Sequence, residues 1–120
     1  MFQTIEAMPK GVVAVRGVGR VTADDYRSVL DPAIEQATAS GHKARLYLEL
    51  GEGFEGYDMS AMLADTKVGL GHLASFERIA VVSDADWVRH GIHLFGPLIP
   101  GAVRVFPVSE TTAARAWVAG

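Results

Sequence analysis

The hexapeptide RLYLEL, residues 45–50, is the sequence feature that most constrains how this chain folds. Three leucines alternate in it with Arg45, Tyr47 and Glu49, and residues that alternate along a strand point to opposite faces of a sheet. A parallel strand that is covered on both faces normally consists of apolar residues throughout. The alternation therefore predicts a strand that is covered on one face and presents a polar outer face.

Extended and helical patterns alternate along the rest of the chain. Strands are predicted at residues 2–7, 11–18, 45–50, 77–83 and 102–107, and helices at about 23–40, 58–74, 84–95 and 110–118. The first two strands flank a short Met-Pro-Lys-Gly turn, which predicts an antiparallel hairpin. Right-handed crossovers between the later strands place successive helices on one side of the sheet. We expect an α/β fold whose mixed, mostly parallel sheet has about five strands, with an N-terminal antiparallel hairpin and about four helices mainly on one face.

Local signals mark the first helix. Thr22 and Asp25 form a capping-box pattern, in which the threonine side chain accepts a hydrogen bond from the backbone and the acid reaches back. Pro32 lies inside the helical pattern, so it should kink the helix or mark Asp31 as a second N-cap.

Composition and charge exclude several classes of function. Apolar residues make up 49% of the chain and charged residues 21%, which is typical of a single folded domain over residues 1–120. The absence of cysteine excludes disulfides, thiolate zinc sites and cysteine nucleophiles. A net charge of −3 without a basic cluster argues against nucleic-acid binding. Neither a signal-peptide pattern nor an apolar window of about 18 residues is present, so the expected location is the cytoplasm.

Four segments together resemble a known protein family: TADDY (22–26), LYLELGEGFEGYD (46–58), FERIAVVSD followed by Asp-Trp (76–87), and VRVFPVSETTAARAWV (103–118). They resemble the SpoIIAA-like family of small bacterial proteins, relatives of the STAS domains of anti-sigma-factor antagonists. The resemblance implies a STAS-type fold and a regulatory or protein-binding role. It implies no catalytic activity, and we expect the protein not to be an enzyme.

The same resemblance implies a candidate phosphoacceptor. In the switch proteins of this wider group, the helix after the third strand begins with an acid, two hydroxyl residues and glycine, and the second hydroxyl accepts a phosphate. Asp58 and Ser60 match the acid and the acceptor, whereas Met59 and Ala61 stand at the other two positions. The alternative is that Ser60 is an ordinary first-turn serine that serves free backbone N–H groups.

The loop GEGFEG that precedes this helix is a candidate docking surface for a protein partner whose identity the sequence does not reveal. It lacks the lysine of a P-loop, and its two glutamates would repel phosphate, so it predicts no nucleotide site. The alternative is a mobile connection with Phe54 or Tyr57 folded back on the core. The candidate docking residues are Gly53, Phe54, Glu55, Gly56, Tyr57 and Met59.

The segment GIHLFGPLIPG, residues 91–101, suggests a different class of function. Its apolar residues are interrupted by glycine and proline, which prevent a long regular helix. Such residues either cap the core or stay exposed, and exposure would suit a lipophilic small molecule, a membrane surface or a dimer partner. The protein would then lie peripherally at the membrane. The candidate residues are Leu94, Phe95, Pro97, Leu98 and Ile99.

The remaining polar residues predict no chemistry. His90 and His93 share a face of one predicted helix, but no zinc motif contains them, so they are interpreted as surface histidines. No nucleophile–histidine–acid arrangement is evident, and we expect no metal, no cofactor and no catalytic residue. A second candidate docking surface is the polar outer face of the sheet, and the open edges of the sheet would permit pairing with a second copy. That outer face consists of Arg16, Tyr47, Glu49 and Arg104.

Overall fold

The computed structural model describes residues 1–5, 11–39, 41, 43–51, 54–57, 76–95 and 101–120. Its strands are β1 (Phe2–Thr4), β2 (Val12–Gly17), β3 (Gly19–Val21), β4 (Ala44–Leu50), β5 (Phe54–Tyr57), β6 (Phe76–Ser83) and β7 (Ala102–Phe106). Its helices are α1 (Ala23–Asp25), α2 (Asp31–Thr38), α3 (Asp86–Phe95) and α4 (Thr111–Ala119), with a π-helical turn at Tyr26–Leu30 and a 3₁₀ turn at Val108–Glu110. The helix predicted at 58–74 lies outside the described residues.

Five of these strands form one sheet in the order β1-β2-β4-β6-β7. The pair β1–β2 is antiparallel, and every other neighbouring pair is parallel. The predicted mixed sheet with an N-terminal hairpin is therefore confirmed. A second sheet pairs β3 with β5 in parallel, and the sequence patterns did not predict it.

The first helix begins with the predicted capping box. Asp25 Oδ2 accepts a hydrogen bond from the Thr22 amide at 2.9 Å, and Thr22 Oγ1 accepts one from the Asp25 amide at 3.3 Å. The Thr22 amide lowers the pKa of Asp25, because this hydrogen bond favours the ionised carboxylate.

A π-helical turn lies between α1 and α2, and Pro32 follows it in the first turn of α2. Proline has no N–H, and its ring collides with the carbonyl four residues earlier, so the helix widens on that side. Helix α2 then begins at Asp31, which is its first helical residue. Leu30 occupies the N-cap position before it, so Asp31 is not itself the N-cap.

One face of the five-stranded sheet packs against α2, α3 and the π-helical turn. Every second residue of each strand points to this face of the sheet. On β4 these residues are the leucines of the RLYLEL pattern. The buried members of this first core include Leu30, Ile34 and Val88 from the helical layer and Val13, Val15, Leu46, Leu50, Ile79 and Val81 from the strands.

Helix α4 covers the other face of the sheet, which the alternation in RLYLEL assigned to solvent. Tyr47 is 0% exposed there, so the expectation of a strand covered on one face is wrong at this residue. The rule of right-handed crossovers applies to a helix that connects two parallel strands. Helix α4 follows β7, the last strand of the described sheet, so this rule does not decide which face of the sheet α4 covers. The helices still lie mainly on one face. The second core consists of Ala14, Tyr47, Ala80, Val82, Phe106, Ala114 and Val118.

Two arginines from the sheet hold the C-terminal end of α4. Arg78 Nη1 donates to the carbonyl of Trp117 at 2.7 Å, and Arg45 Nη1 donates to the carbonyl of Val118 at 3.0 Å. Arg45 is itself oriented by Glu77, whose Oε1 accepts from Arg45 Nε at 2.7 Å. The last carbonyls of a helix lack intrahelical partners and carry partial negative charge, so two guanidinium groups stabilise them.

The hydroxyl of Tyr47 beneath α4 donates to Glu49 Oε1 at 3.1 Å. Glu49 Oε2 in turn pairs with Arg16 Nε, and the Arg115 guanidinium lies 5.5 Å from the centre of the Tyr47 ring. Burial raises the pKa of Tyr47 above its ordinary value, because the phenolate would lose its hydration. The tyrosine is therefore a fixed, protonated part of the packing between sheet and helix.

Replacing Arg78 tests the attachment of α4. We expect Arg78→Met to lower the free energy of unfolding by about 2 kcal/mol, because the methionine retains the apolar stem but leaves the Trp117 carbonyl without its charged donor. Urea denaturation followed by tryptophan fluorescence measures the change. Arg89→Met, at an exposed position on α3, is the matched control and should change the stability by no more than about 0.5 kcal/mol. Equal losses in the two variants would contradict this role.

The raised pKa of Tyr47 predicts a pH dependence at alkaline pH. Folded Tyr47 keeps its proton where the unfolded chain, with a pKa of about 10, has lost it. Its contribution is therefore complete below about pH 10 and is lost as the pH rises through the folded pKa. We expect the unfolding free energy of the wild type to fall more steeply above about pH 10 than that of Tyr47→Phe. Parallel curves for the two proteins in urea denaturation would show that Tyr47 is not responsible.

Candidate functional site

Several of the candidate site residues lie outside the described residues, and the structure places only the segments that flank them. For the phosphoacceptor motif and its loop, the described flank is β5 and Gly51; for the apolar segment, it is α3 and Gly101. The candidates outside the described residues are Gly53, Asp58, Met59, Ser60, Pro97, Leu98 and Ile99.

The candidate docking loop contains a strand. Phe54–Tyr57 forms β5, which pairs in parallel with β3 through Gly19↔Phe54 and Val21↔Tyr57. The carboxylate of Glu55 lies over Gly19, with Oε2 3.5 Å from the position that a β-carbon there would occupy. Gly19 has a φ of +62°, a conformation that favours glycine. The loop is thus attached to the connection between β2 and α1, and Val21 anchors that connection in the core.

Exposed acids follow the carboxyl ends of the parallel strands. These ends meet at one edge of an open α/β sheet, which is the edge where such folds usually bind ligands. Glu55, Asp84, Asp86 and Glu110 are all exposed, and each lies in or next to an element that follows a parallel strand. The structure thus places four exposed acids near the candidate docking edge, which the individual sequence motifs did not reveal, and Arg20 of β3 is an exposed cation beside β5.

Two polar side chains at this edge serve the fold. Ser83 is buried, and its Oγ accepts a hydrogen bond from the Ala85 amide at 3.1 Å. Asp84 Oδ1 accepts one from the Val108 amide at 3.0 Å, which ties the start of α3 to the turn before α4. These contacts position the edge.

The second predicted docking surface needs correction. Tyr47 is buried under α4 and therefore cannot contact a partner. Arg16 and Glu49 form an ion pair beside it. Arg104 remains exposed, with its guanidinium 4.9 Å from the centre of the Phe106 ring and 5.6 Å from that of Trp117. The accessible part of this face therefore surrounds α4 and includes the helix's own Arg115, which the sequence interpretation did not consider.

Helix α3 carries an exposed apolar stripe. Leu94 is 70% exposed and Trp87 is 55% exposed, and a spacing of seven residues places both on one side of a helix. Val88 faces the core instead. Leu94, a candidate for binding an apolar ligand or a membrane, is thus a surface residue. Trp87 is an additional candidate for the same role, and its spacing of seven residues from Leu94 could have indicated it from the sequence.

Metal and membrane-spanning sites are not found in the part of the chain that the structure describes. His90 and His93 are exposed on α3, and no group of three or more potential metal ligands occurs among the described residues. None of the described helices is long and apolar enough to cross a membrane. A cleft is present at the start of β2, and its lining includes Ile5, Val12, Ala33, Lys43 and Arg45 but not Leu94.

The structure and the sequence were compared with known proteins. The chain resembles a Shewanella loihica PV-4 protein with a SpoIIAA-like fold, at a TM-score of 0.72 and 21% identity over 98% of this chain and 92% of that one. It also resembles the anti-sigma factor antagonist SpoIIAA in its unphosphorylated form, at a TM-score of 0.60 and 18% identity over 98% of both chains. At these identities the likeness concerns the fold. No curated protein matches the sequence.

Membership of a family follows from a separate comparison. The sequence model of the SpoIIAA-like family matches residues 12–119, which includes every described element except β1. The predicted resemblance is therefore confirmed over nearly the whole chain. The protein belongs to the SpoIIAA-like family.

Proposed function

We propose that this protein is a non-enzymatic, cytoplasmic regulatory module that works by binding a protein partner. The observation that carries the proposal is the match of residues 12–119 to the SpoIIAA-like family, together with a fold shared with an anti-sigma factor antagonist. The buried hydroxyl of Ser83 is engaged in holding the backbone.

The partner docks at residues 51–62, on the edge that contains β5. Support comes from the pairing of β5 with β3, which attaches the loop to the folded domain instead of leaving it as a free connection. A loop attached in this way loses less conformational freedom on binding. The exposed acids of this edge, among them Glu55, favour a partner with a basic surface.

Ser60 is the switch on this surface. It follows β5 by three residues and matches the phosphoacceptor of the related switch proteins, with Asp58 at the position of their acid. A phosphate adds between about 1.5 and 2 negative charges at neutral pH. Five residues after the exposed Glu55 in the sequence, this charge would change which partner the segment attracts.

The switch is tested on protein purified from its own host. We expect intact mass spectrometry to show a fraction with one added phosphate, mapped by fragmentation to Ser60. The increment should be absent from Ser60→Ala and present in the control Ser109→Ala, which alters an exposed serine in the turn before α4. A wild-type protein without phosphate, and Ser60→Asp and Ser60→Ala forms that capture the same partners equally, would contradict the switch.

A second function is favoured by the exposed stripe of α3. Leu94 and Trp87 lie on the helix that leads into the apolar residues 96–100 of the sequence. Aromatic and aliphatic side chains exposed together are typical of helices that lie at a membrane surface or bind an apolar molecule. In this alternative the segment 91–101 holds a lipophilic ligand or associates with a membrane.

Vesicle binding distinguishes the alternative. If α3 inserts into a bilayer surface, Leu94→Glu should weaken co-sedimentation with phosphatidylcholine–phosphatidylglycerol vesicles by at least about tenfold, since burial of one leucine contributes about 1.5 to 3 kcal/mol. Gln36→Glu makes the same change of charge at an exposed position on α2 and should bind like the wild type. The alternative is wrong if the wild type neither sediments with vesicles nor co-purifies with lipid.

A further inference from the structure

The sheet face beneath α4, together with the exposed side of that helix, is positively charged on a chain whose net charge is −3. Strand register places Arg16, Arg45, Arg78 and Arg104 on this face, and Arg115 joins them from α4. We call this set the arginine face. Glu49 and Glu77 pair with two of its arginines, so five guanidinium groups and two carboxylates leave a surplus of three positive charges.

Two of these arginines differ from the others in what they contact. Arg45 and Arg78 hold carbonyls of α4, and Arg16 pairs with Glu49. Arg104 and Arg115 instead lie against aromatic rings, and within the described ranges no carboxylate forms an ion pair with either of them. Both are exposed. Together with Arg78, which holds a carbonyl of α4, they make up the surplus of three, and they are its exposed part.

The aromatic contacts restrict how these two side chains can move. Arg104 lies between 4.9 and 5.6 Å from the centres of the Phe106 and Trp117 rings, and Arg115 lies 5.5 Å from that of Tyr47. A guanidinium group that packs on a ring keeps N–H groups available for carboxylates or phosphates, and Arg115 retains such groups although it also interacts with the Tyr47 side chain. Fewer rotamers are lost when such a side chain binds an anion, so the cost of binding is smaller.

The two arginines flank α4 on opposite sides. Register places Tyr47 opposite Ala80 on β6, and Ala80 opposite Arg104 on β7, so Tyr47 and Arg104 lie two strands apart, about 10 Å. Arg115 lies over Tyr47, on one side of the helix, and Arg104 contacts Trp117 on the other. An acidic segment that crosses α4 could therefore contact both.

We propose that the arginine face binds an acidic peptide segment of a partner protein, with Arg104 and Arg115 as its principal contacts. Charge complementarity argues for this occupant. A nucleic acid or an anionic membrane would extend beyond the face and meet the excess negative charge on the rest of the molecule, whereas a short segment need contact only the arginines. The site is distinct from residues 51–62 and does not depend on Ser60.

Binding can be measured with a defined probe. The full chain is titrated into a fluorescein-labelled peptide of alternating glutamate and glycine, and fluorescence anisotropy is recorded at low and at physiological salt. We expect affinity for this peptide to fall as salt rises, and the matched glutamine–glycine peptide not to bind. Arg104→Gln combined with Arg115→Gln should weaken binding by about tenfold, since two charge-assisted contacts are lost. Thermal unfolding verifies that this variant is folded.

A control of equal charge distinguishes a site from a general effect of net charge. Arg20→Gln combined with Arg89→Gln removes two positive charges at exposed positions on β3 and α3, outside the arginine face, and it should bind the acidic peptide as the wild type does. Equal weakening in both double variants would overturn the proposal, as would failure of the wild type to bind the acidic peptide. Binding to phosphatidylglycerol vesicles through Arg104 and Arg115 without binding to the peptide would also overturn it, because the partner would then be a membrane.

Discussion

The packing of α4 on Tyr47 is the interaction on which the rest of the structure depends. A mostly parallel sheet leaves apolar side chains on both of its faces, and both must be covered. The helices between the strands cover one face, and α4 covers Ala80 and Val82 on the other. The arginines that hold the end of this helix come from the strands themselves, so the same residues stabilise the helix and place positive charge around it.

The arrangement separates two surfaces of opposite charge. The edge at the carboxyl ends of the parallel strands carries exposed acids such as Glu55 and Asp86, whereas the arginine face lies around α4. The two surfaces adjoin at the start of α4, where Glu110 precedes the helix that carries Arg115. If both surfaces bind as proposed, the protein brings two proteins of different charge together, and a phosphate at Ser60 adds negative charge to the first contact.

Local and periodic signals predicted most of the fold. The capping box of Thr22 and Asp25 depends on neighbouring residues alone, and the leucines of β4 follow the period of a strand. The prediction failed at Tyr47, because an alternation pattern counts tyrosine as polar although its ring packs like an apolar residue. Strand β5 was missed because the glycines around it are typical of a loop, and its pairing with β3 joins segments far apart in the sequence. The sequence patterns placed Arg16 and Arg104 on one outer face of the sheet, but they did not include Arg78 or Arg115. Strand register adds Arg78, and the packing of α4 over Tyr47 adds Arg115.

The hydrogen bond from Arg45 to the carbonyl of Val118 joins residues that are 73 positions apart. Contacts across such a distance close a large loop, and they form after the local contacts of the helices and the hairpin. We therefore expect the attachment of α4 to form late in folding. Interactions that form late govern how quickly a native protein opens rather than how quickly it folds. We then expect the two arginines that hold this helix to slow unfolding, and they would do so from the same face that we propose for partner binding.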